Sequence, residues 1–178
     1  MNTTTVTNFQ CFTKEQVKEI NKKIKKNIFQ KEESPNAANY TSKKGNFFPF
    51  PCPPLIELLH LWLYQCQETN RGVFGYDIYW DFHLDFFNYN VYGTGGEYDW
   101  HLDATTSSVY DMKLTCLLNL SEEPYEGGDF YVLSADEKIP FNSGEGLILN
   151  SLITHKVTPV TKGERITLTY WATGPSWR

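Results

Sequence analysis

The stretch that decides the fold is "HKVTPVTKGERITLTYW", residues 155–171. From Arg165 onward its residues alternate in character, and alternate residues of a strand face opposite sides of a sheet. Arg165, Thr167, Thr169 and Trp171 fall on one side, and Ile166, Leu168, Tyr170 and Ala172 on the other. The second side is apolar and predicts packing under a helix. The first combines a cation, two hydroxyls and an indole. A cation on the inner face of a small barrel is costly unless it meets an anion. That anion is either a structural Asp or Glu, or a bound carboxylate.

Outward from this strand, the chain after Gly72 is a series of short β-type runs. Turn signals punctuate them at Gly93–Gly96, Glu126–Gly128, Asn142–Gly146 and Thr161–Gly163. Several short strands at such spacing predict a sandwich or barrel. An aromatic content of 16% suits half-buried pleated surfaces. Upstream, Thr13-Lys14-Glu15-Gln16 is a capping box that opens a helix carrying Val17, Ile20, Ile24 and Ile28 on one stripe. A loop-like stretch follows from Gln30 to Pro53. Pro54 starts a second helix, apolar through Leu55, Ile56, Leu58, Leu59, Trp62 and Leu63, which Asn70-Arg71-Gly72 ends. The expected architecture is one mainly β domain over residues 1–178. Supporting helices and a loop occupy about 13–72, and a β core about 73–175.

Bulk properties exclude several classes. A net charge of −5 argues against gripping nucleic acid through a broad basic face. Cys11, Cys52, Cys66 and Cys116 are far apart and form no C-x-x-C pair, so neither a zinc site nor a disulfide framework is indicated. The start "MNTTTVTNFQ" has no basic-then-apolar leader, and no stretch approaches a spanning helix. A cytoplasmic protein without membrane association is expected.

Only four histidines are present: His60, His83, His101 and His155. His60 lies in the apolar second helix and is expected to be a packed or boundary side chain. The triplet His-Leu-Asp occurs twice, at 83–85 and 101–103. If "HLDFFNYNVY" is one unbroken strand, Tyr92 shares its face with Asn90, Asn88 and Phe86, and His83 and Asp85 point the other way. The second copy instead follows a Gly-rich turn and leads into the polar loop "ATTSSVYDM". With His155 it would supply two imidazoles and one carboxylate. With open positions, that ligand set is characteristic of non-haem Fe(II) oxygenases. A 2-oxo acid would take two of the remaining positions and oxygen the third. Arg165 could bind the far carboxylate of a 2-oxoglutarate through its planar fork.

The ordered elements "VYGTGGEYDWHLD", "EGGDFYV" and "HKVTPVTKGERITLTYW" resemble the Fe(II)- and 2-oxoglutarate-dependent dioxygenases, in their prolyl-hydroxylase-like branch. The resemblance covers about Val91 to Trp171. It implies a double-stranded β-helix, or jelly-roll, core, with Fe(II), 2-oxoglutarate and O2 as cofactors and ascorbate as a further candidate. It implies His101, Asp103 and His155 as iron ligands and Arg165 as anchor of the distal carboxylate. Tyr92, Thr169 and Trp171 are implied to line the same pocket, Tyr98 to support the turn, and Gly127 and Gly128 to shape theirs. One departure stands out. The branch often places a tyrosine beside the basic residue, but the matching stretch "KLTCLLNLS" has none, which leaves Asn119 or Thr115 as candidate partners of Arg165. The loop after Asp103 is either a substrate lid or a plain solvent loop.

The resemblance implies hydroxylation of an unactivated C–H bond, on a peptide or protein side chain first and a small molecule next. The nucleic-acid-demethylating branch often carries R-x-N-x-T-x-R on the last strand. Here "RITLTYW" lacks its asparagine and second arginine. Halogenation requires the carboxylate ligand to be absent, and Asp103 is present. A non-catalytic jelly-roll binding module is the rival from another class, although such a module needs no anchor like Arg165.

Overall fold

The computed structural model describes residues 6–29, 43–104, 110–134 and 137–177. Its elements in chain order are β1 (Val6–Gln10), α1 (Lys14–Phe29), β2 (Lys43–Lys44), β3 (Asn46–Pro51), a 3-10 turn (Pro53–Leu55), α2 (Ile56–Thr69) and a π turn (Asn70–Phe74). Then come β4 (Phe86–Tyr92), β5 (Glu97–His101), β6 (Tyr110–Asn119), β7 (Glu126–Gly127), β8 (Phe130–Val132), β9 (Glu137–Ile139), β10 (Glu145–Asn150), β11 (His155–Val157), β12 (Val160–Lys162) and β13 (Arg165–Pro175).

The strands form a major sheet in the order β1-β10-β6-β13-β4-β3 and a minor sheet in the order β2-β5-β11-β8-β9, all paired antiparallel. The two sheets are the layers of a jelly-roll. Leu117, Leu147 and Leu149 of the major sheet meet Phe130, Val132 and Val157 of the minor one in a shared core. Consecutive strands change between these two sheets after β1, β2, β4, β5, β9 and β10, while β7 and β12 pair with each other in a third, two-stranded sheet, so neighbours in space are remote in sequence.

The alternation in β13 governs the other layer. Ile166, Leu168, Tyr170 and Ala172 are buried together with Val17, Ile20, Ile24 and Ile28 of α1 and Leu59, Trp62, Leu63 and Cys66 of α2. Both helices therefore lie under the major sheet, on the face away from the minor one. The capping box is formed: Thr13 N–H donates to Gln16 Oε1 at 2.9 Å, and Gln16 N–H to Thr13 Oγ1 at 3.4 Å. All four cysteines are buried free thiols, and all four lie in this helix-side core. Burial pushes the Cys11 and Cys52 thiols up to about 12.

One polar residue pins α1 to the sheet. Asn21 is fully buried, donates to the Leu120 carbonyl at 2.7 Å and accepts the Tyr89 hydroxyl at 2.9 Å. Asn21→Ala orphans both of these partners inside the core. The expected loss is about 2–4 kcal/mol, the cost of leaving two buried polar groups unpaired. Urea unfolding measures it, and a loss below about 1 kcal/mol would show that the bridge contributes little.

Several expectations need correction. The N-terminal segment contains β1, an edge strand on β10. The stretch read as a loop contains β2 and β3, while residues 30–42 lie outside the described residues. Prolines 49 and 51 masked β3, and they are tolerated because β3 is the edge of its sheet. The second helix begins with a 3-10 turn and runs through the π turn to Gly75, whose left-handed φ of 68° caps it. Gly72 is not the stop. No β structure forms until Phe86, because the segment after Gly75 crosses β13 instead, with Tyr79 N–H bonded to the Thr173 carbonyl. Among the described residues, no helix is long and apolar enough to cross a membrane.

Candidate metal centre

The second His-Leu-Asp triplet sits where the minor sheet opens. His101 ends β5, His155 begins β11, and the two residues are direct partners in the antiparallel ladder. Their ring centroids are 4.2 Å apart. Asp103, just past the end of β5, completes the group. Its Oδ1 lies 3.6 Å from His101 Nε2 and its Oδ2 3.5 Å from His155 Nε2. Donor atoms of all three residues lie within 4.8 Å of one another, and no other cluster of this kind occurs among the described residues.

The surroundings prepare these groups to ligate. His101 Nδ1 lies 2.7 Å from the Asp99 carbonyl, and His155 Nδ1 lies 2.8 Å from that of Ile153. A carbonyl oxygen only accepts, so each Nδ1 carries the proton and each Nε2 turns a lone pair toward the centre. Burial, reinforced by His155, pushes the His101 imidazole down to about 4. It is therefore neutral above that pH, the form that binds a metal. The Tyr98 ring stacks on His101 at 3.4 Å and fixes its plane. Thr115 Oγ1 donates to Asp103 Oδ2 at 2.8 Å and orients the carboxylate.

These ligands form one wall of a narrow, partly open cavity. The polar face of β13 forms the floor, with Arg165, Thr167, Thr169 and Trp171 all lining it. Tyr92 and Asn90 join them from β4, because Arg165 pairs with Tyr92 and Thr167 with Asn90 across the ladder. Arg165 is only 2% exposed, and its guanidinium carbon lies 5.4 Å from the centre of the Tyr92 ring. Gly128 makes room for it: a Cβ there would approach Arg165 Cδ to 2.9 Å.

Two donors in this cavity have no acceptor. Arg165 Nε and Trp171 Nε1 are buried without a hydrogen-bond partner among the described residues. Unpaired buried donors are rare and costly, and a buried cation more so. Of the two anions the sequence allowed for Arg165, no structural Asp or Glu pairs with it among the described residues. A carboxylate entering the cavity would satisfy both donors. The residues present thus fit a metal at one end and an elongated dianion reaching to the other.

Not every expected residue is at this site. Asn119 does not line the cavity. Its amide donates to the Phe141 carbonyl at 2.8 Å and to Tyr125 Oη at 3.3 Å, and its oxygen accepts Ser121 N–H. Thr115 serves Asp103 rather than Arg165. On the strand that lacks the tyrosine, Leu117 faces the cavity. The first triplet is not in a strand: His83 lies exposed in a turn, and Asp85 accepts the Tyr170 hydroxyl at 2.6 Å. His60 is exposed and stacks on Tyr64 rather than packing inside. The candidate lid falls largely outside the described residues, which omit 105–109.

Two polar cavity residues were missed, along with the apolar Leu117, Phe130 and Val157. Asn90 donates to Thr169 Oγ1 at 3.0 Å and accepts from Asn88 at 2.9 Å. Its parity with Tyr92 was the available signal. Lys43 also lines the cavity, but it lies in the stretch read as a loop and carried no signal.

Comparison with known proteins agrees with this geometry. Residues 87–173 match the sequence profile of the 2OG-Fe(II) oxygenase superfamily. A PKHD-type hydroxylase of Alteromonas mediterranea is 40% identical over 63 residues, which is 34% of this chain and 27% of that protein's length. The chain therefore spans about a quarter of that relative through the matched stretch. The viral collagen prolyl hydroxylase of Paramecium Bursaria Chlorella virus-1, solved with 2OG, superposes with a TM-score of 0.72 at 16% identity, covering 95% of this chain and 96% of that one. A prolyl hydroxylase of Trichoplax adhaerens, solved with a fragment of the hypoxia inducible factor oxygen degradation domain, gives a TM-score of 0.71 at 16% identity, covering 96% and 84%.

Proposed function

Residues 87–173 of this chain belong to the 2OG-Fe(II) oxygenase superfamily, and from that premise we propose that the protein is an Fe(II)- and 2-oxoglutarate-dependent dioxygenase hydroxylating an unactivated C–H bond on a peptide or protein side chain. The observation that carries this reading is the pairing of a two-His, one-Asp cluster with two unsatisfied donors in one cavity. A binding module needs neither. The peptide substrate is favoured by the prolyl-hydroxylase character of the proteins that share the fold.

In this reading His101, Asp103 and His155 hold Fe(II). Arg165, with Trp171 beside it, takes the distal carboxylate of 2-oxoglutarate, while Tyr92, Thr169 and Asn90 shape the channel between. Bound together with O2, iron and 2-oxoglutarate would supply the oxidising power for hydroxylation of a C–H bond, with 2-oxoglutarate converted to succinate and CO2. The chain's own contribution is positional. The two backbone carbonyls on Nδ1 hold the imidazoles in register, Thr115 fixes the face of Asp103, and the apolar walls from Leu117, Phe130 and Val157 exclude water. All of these side chains except Asp103, which follows directly on β5, sit on strands, which keeps the geometry rigid.

The test is succinate release from 2-oxoglutarate with Fe(II) and O2 present, combined with a mass screen for a gain of one oxygen across peptides and metabolites. Fe(II)-dependent succinate is expected, with its rate raised by a peptide that gains oxygen. Absence of any 2-oxoglutarate consumption by the iron-loaded protein would overturn the reading.

A further inference from the structure

We propose that Lys43 is a substrate-recognition residue, and that the substrate presents a carboxylate near the carbon that reacts. The inference deepens the reading of the cavity as a 2-oxoglutarate-loaded iron centre and rests on it.

Lys43 belongs to the two-residue strand β2, which pairs with β5 and sets Lys43 opposite Tyr98, the ring that stacks on His101. Its side chain lines the metal cavity. The ammonium lies 3.8 Å from the centre of the Phe47 ring and 4.6 Å from that of Tyr98. The next residue, Lys44, projects to the other side and pairs with Glu97, whereas Lys43 has no ion-pair partner among the described residues. Two aromatic faces stabilise an ammonium, but they do not neutralise it. An enclosed cation of this kind needs an anion, and Asp103, the carboxylate whose charge acts on it, is committed to the metal site and to Thr115.

Charge balance then identifies what is missing. Arg165 and Lys43 bring two positive charges to the cavity and Asp103 brings one negative. A divalent metal adds two positive charges, and 2-oxoglutarate removes two. The loaded site retains one positive charge. Without Lys43 it would be neutral, so the lysine makes the loaded cavity select for one more negative charge. The position agrees: Arg165 lies on the β13 floor, while Lys43 is on the β2–β5 side with the His101 ring stack. A substrate carboxylate reaching Lys43 would hold its neighbouring carbon over the metal end of the cavity. Free amino acids and peptides with an acidic or C-terminal carboxylate beside the target carbon share this chemistry.

The test uses protein loaded with Zn(II) and 2-oxoglutarate, which occupies the Arg165 site without turnover, and 15N-lysine labelling. Sodium propionate and its neutral isostere propionamide are the probes, read on the nitrogen resonance of Lys43. Propionate is expected to shift that resonance and propionamide to leave it unmoved. Lys43→Met keeps the apolar stem between the two rings and should weaken propionate binding at least about tenfold in calorimetry, the worth of one charged hydrogen bond. It should leave 2-oxoglutarate affinity within about threefold, since Arg165 rather than Lys43 takes the distal carboxylate and dissolved salt weakens the longer-range attraction. Lys43→Arg should retain propionate. Free amino acids against their amides, and peptide acids against amidated peptides, then separate the two sources by oxygen incorporation. Equal response to acid and amide, or unchanged propionate binding in Lys43→Met, overturns the proposal. So does a fall in 2-oxoglutarate affinity, which would assign Lys43 to the co-substrate. Failure of the metal-loaded wild type to bind 2-oxoglutarate would instead overturn the dioxygenase reading itself.

Discussion

Replacing Asp103 with alanine is expected to abolish iron-dependent turnover of 2-oxoglutarate while leaving the fold in place. The carboxylate is the only charged member of the triad, and both of its oxygens face the two imidazoles at 3.5–3.6 Å. Removing it leaves two neutral ligands for a divalent ion. Metal affinity falls, and the co-substrate loses the geometry it needs. The expected fall in succinate formation is on the order of a thousandfold or more, as when one member of a catalytic unit is deleted. Asp103 is bound by one hydroxyl and lies at the end of a strand, so circular dichroism should be unchanged. His101→Ala should behave alike. Undiminished succinate from both variants would mean that the triad does not hold the working metal.

Arg165→Met is expected to separate binding from stability. Arg165 is among the largest fully buried side chains, yet its Nε has no partner and no carboxylate of the described residues neutralises it. In the ligand-free protein this buried cation is a cost, so the variant should melt at the same temperature or higher. In the loaded protein the same guanidinium would meet the distal carboxylate. Its loss should weaken 2-oxoglutarate about a hundredfold, as expected when a buried charged partner is removed. Calorimetric titration and thermal unfolding of one sample measure both. A destabilised variant with unchanged 2-oxoglutarate affinity would make Arg165 a structural cation instead. Neutral substitution here should thus reverse the usual pattern for a buried residue.

The parts legible in the sequence were those with a local period. Alternation in β13 announced which side chains face the helices and which face the cavity, and the i, i+3, i+4 stripe announced α1. The capping residues fixed its start. What escaped had no local signature. β1 is short and polar, and β3 carries two prolines that only its place at a sheet edge excuses. The end of α2 depended on Gly75, not on the nearer Gly72, because a π turn carries the helix past it. Buried polar residues were hidden for a related reason. Asn21 sits on the apolar stripe of α1 but finds its partners in β4 and beyond the end of β6, far away in sequence. Lys43 gained its place through pairing with β5, more than fifty residues downstream. Asn119 failed as a cofactor ligand because nearby backbone groups take its amide, which neither spacing nor parity reveals.

The placement of the cysteines has a chemical consequence. A centre that activates O2 endangers its own protein whenever it fires without a substrate, and thiolates are the groups most open to such damage. This chain has four cysteines and exposes none. All four lie in the helix-side core, across the major sheet from the cavity, and burial keeps Cys11 and Cys52 protonated well above neutral pH. In the dioxygenase we propose, the sheet that carries Arg165 on one side and the thiols on the other would separate the oxidising compartment from the oxidisable one.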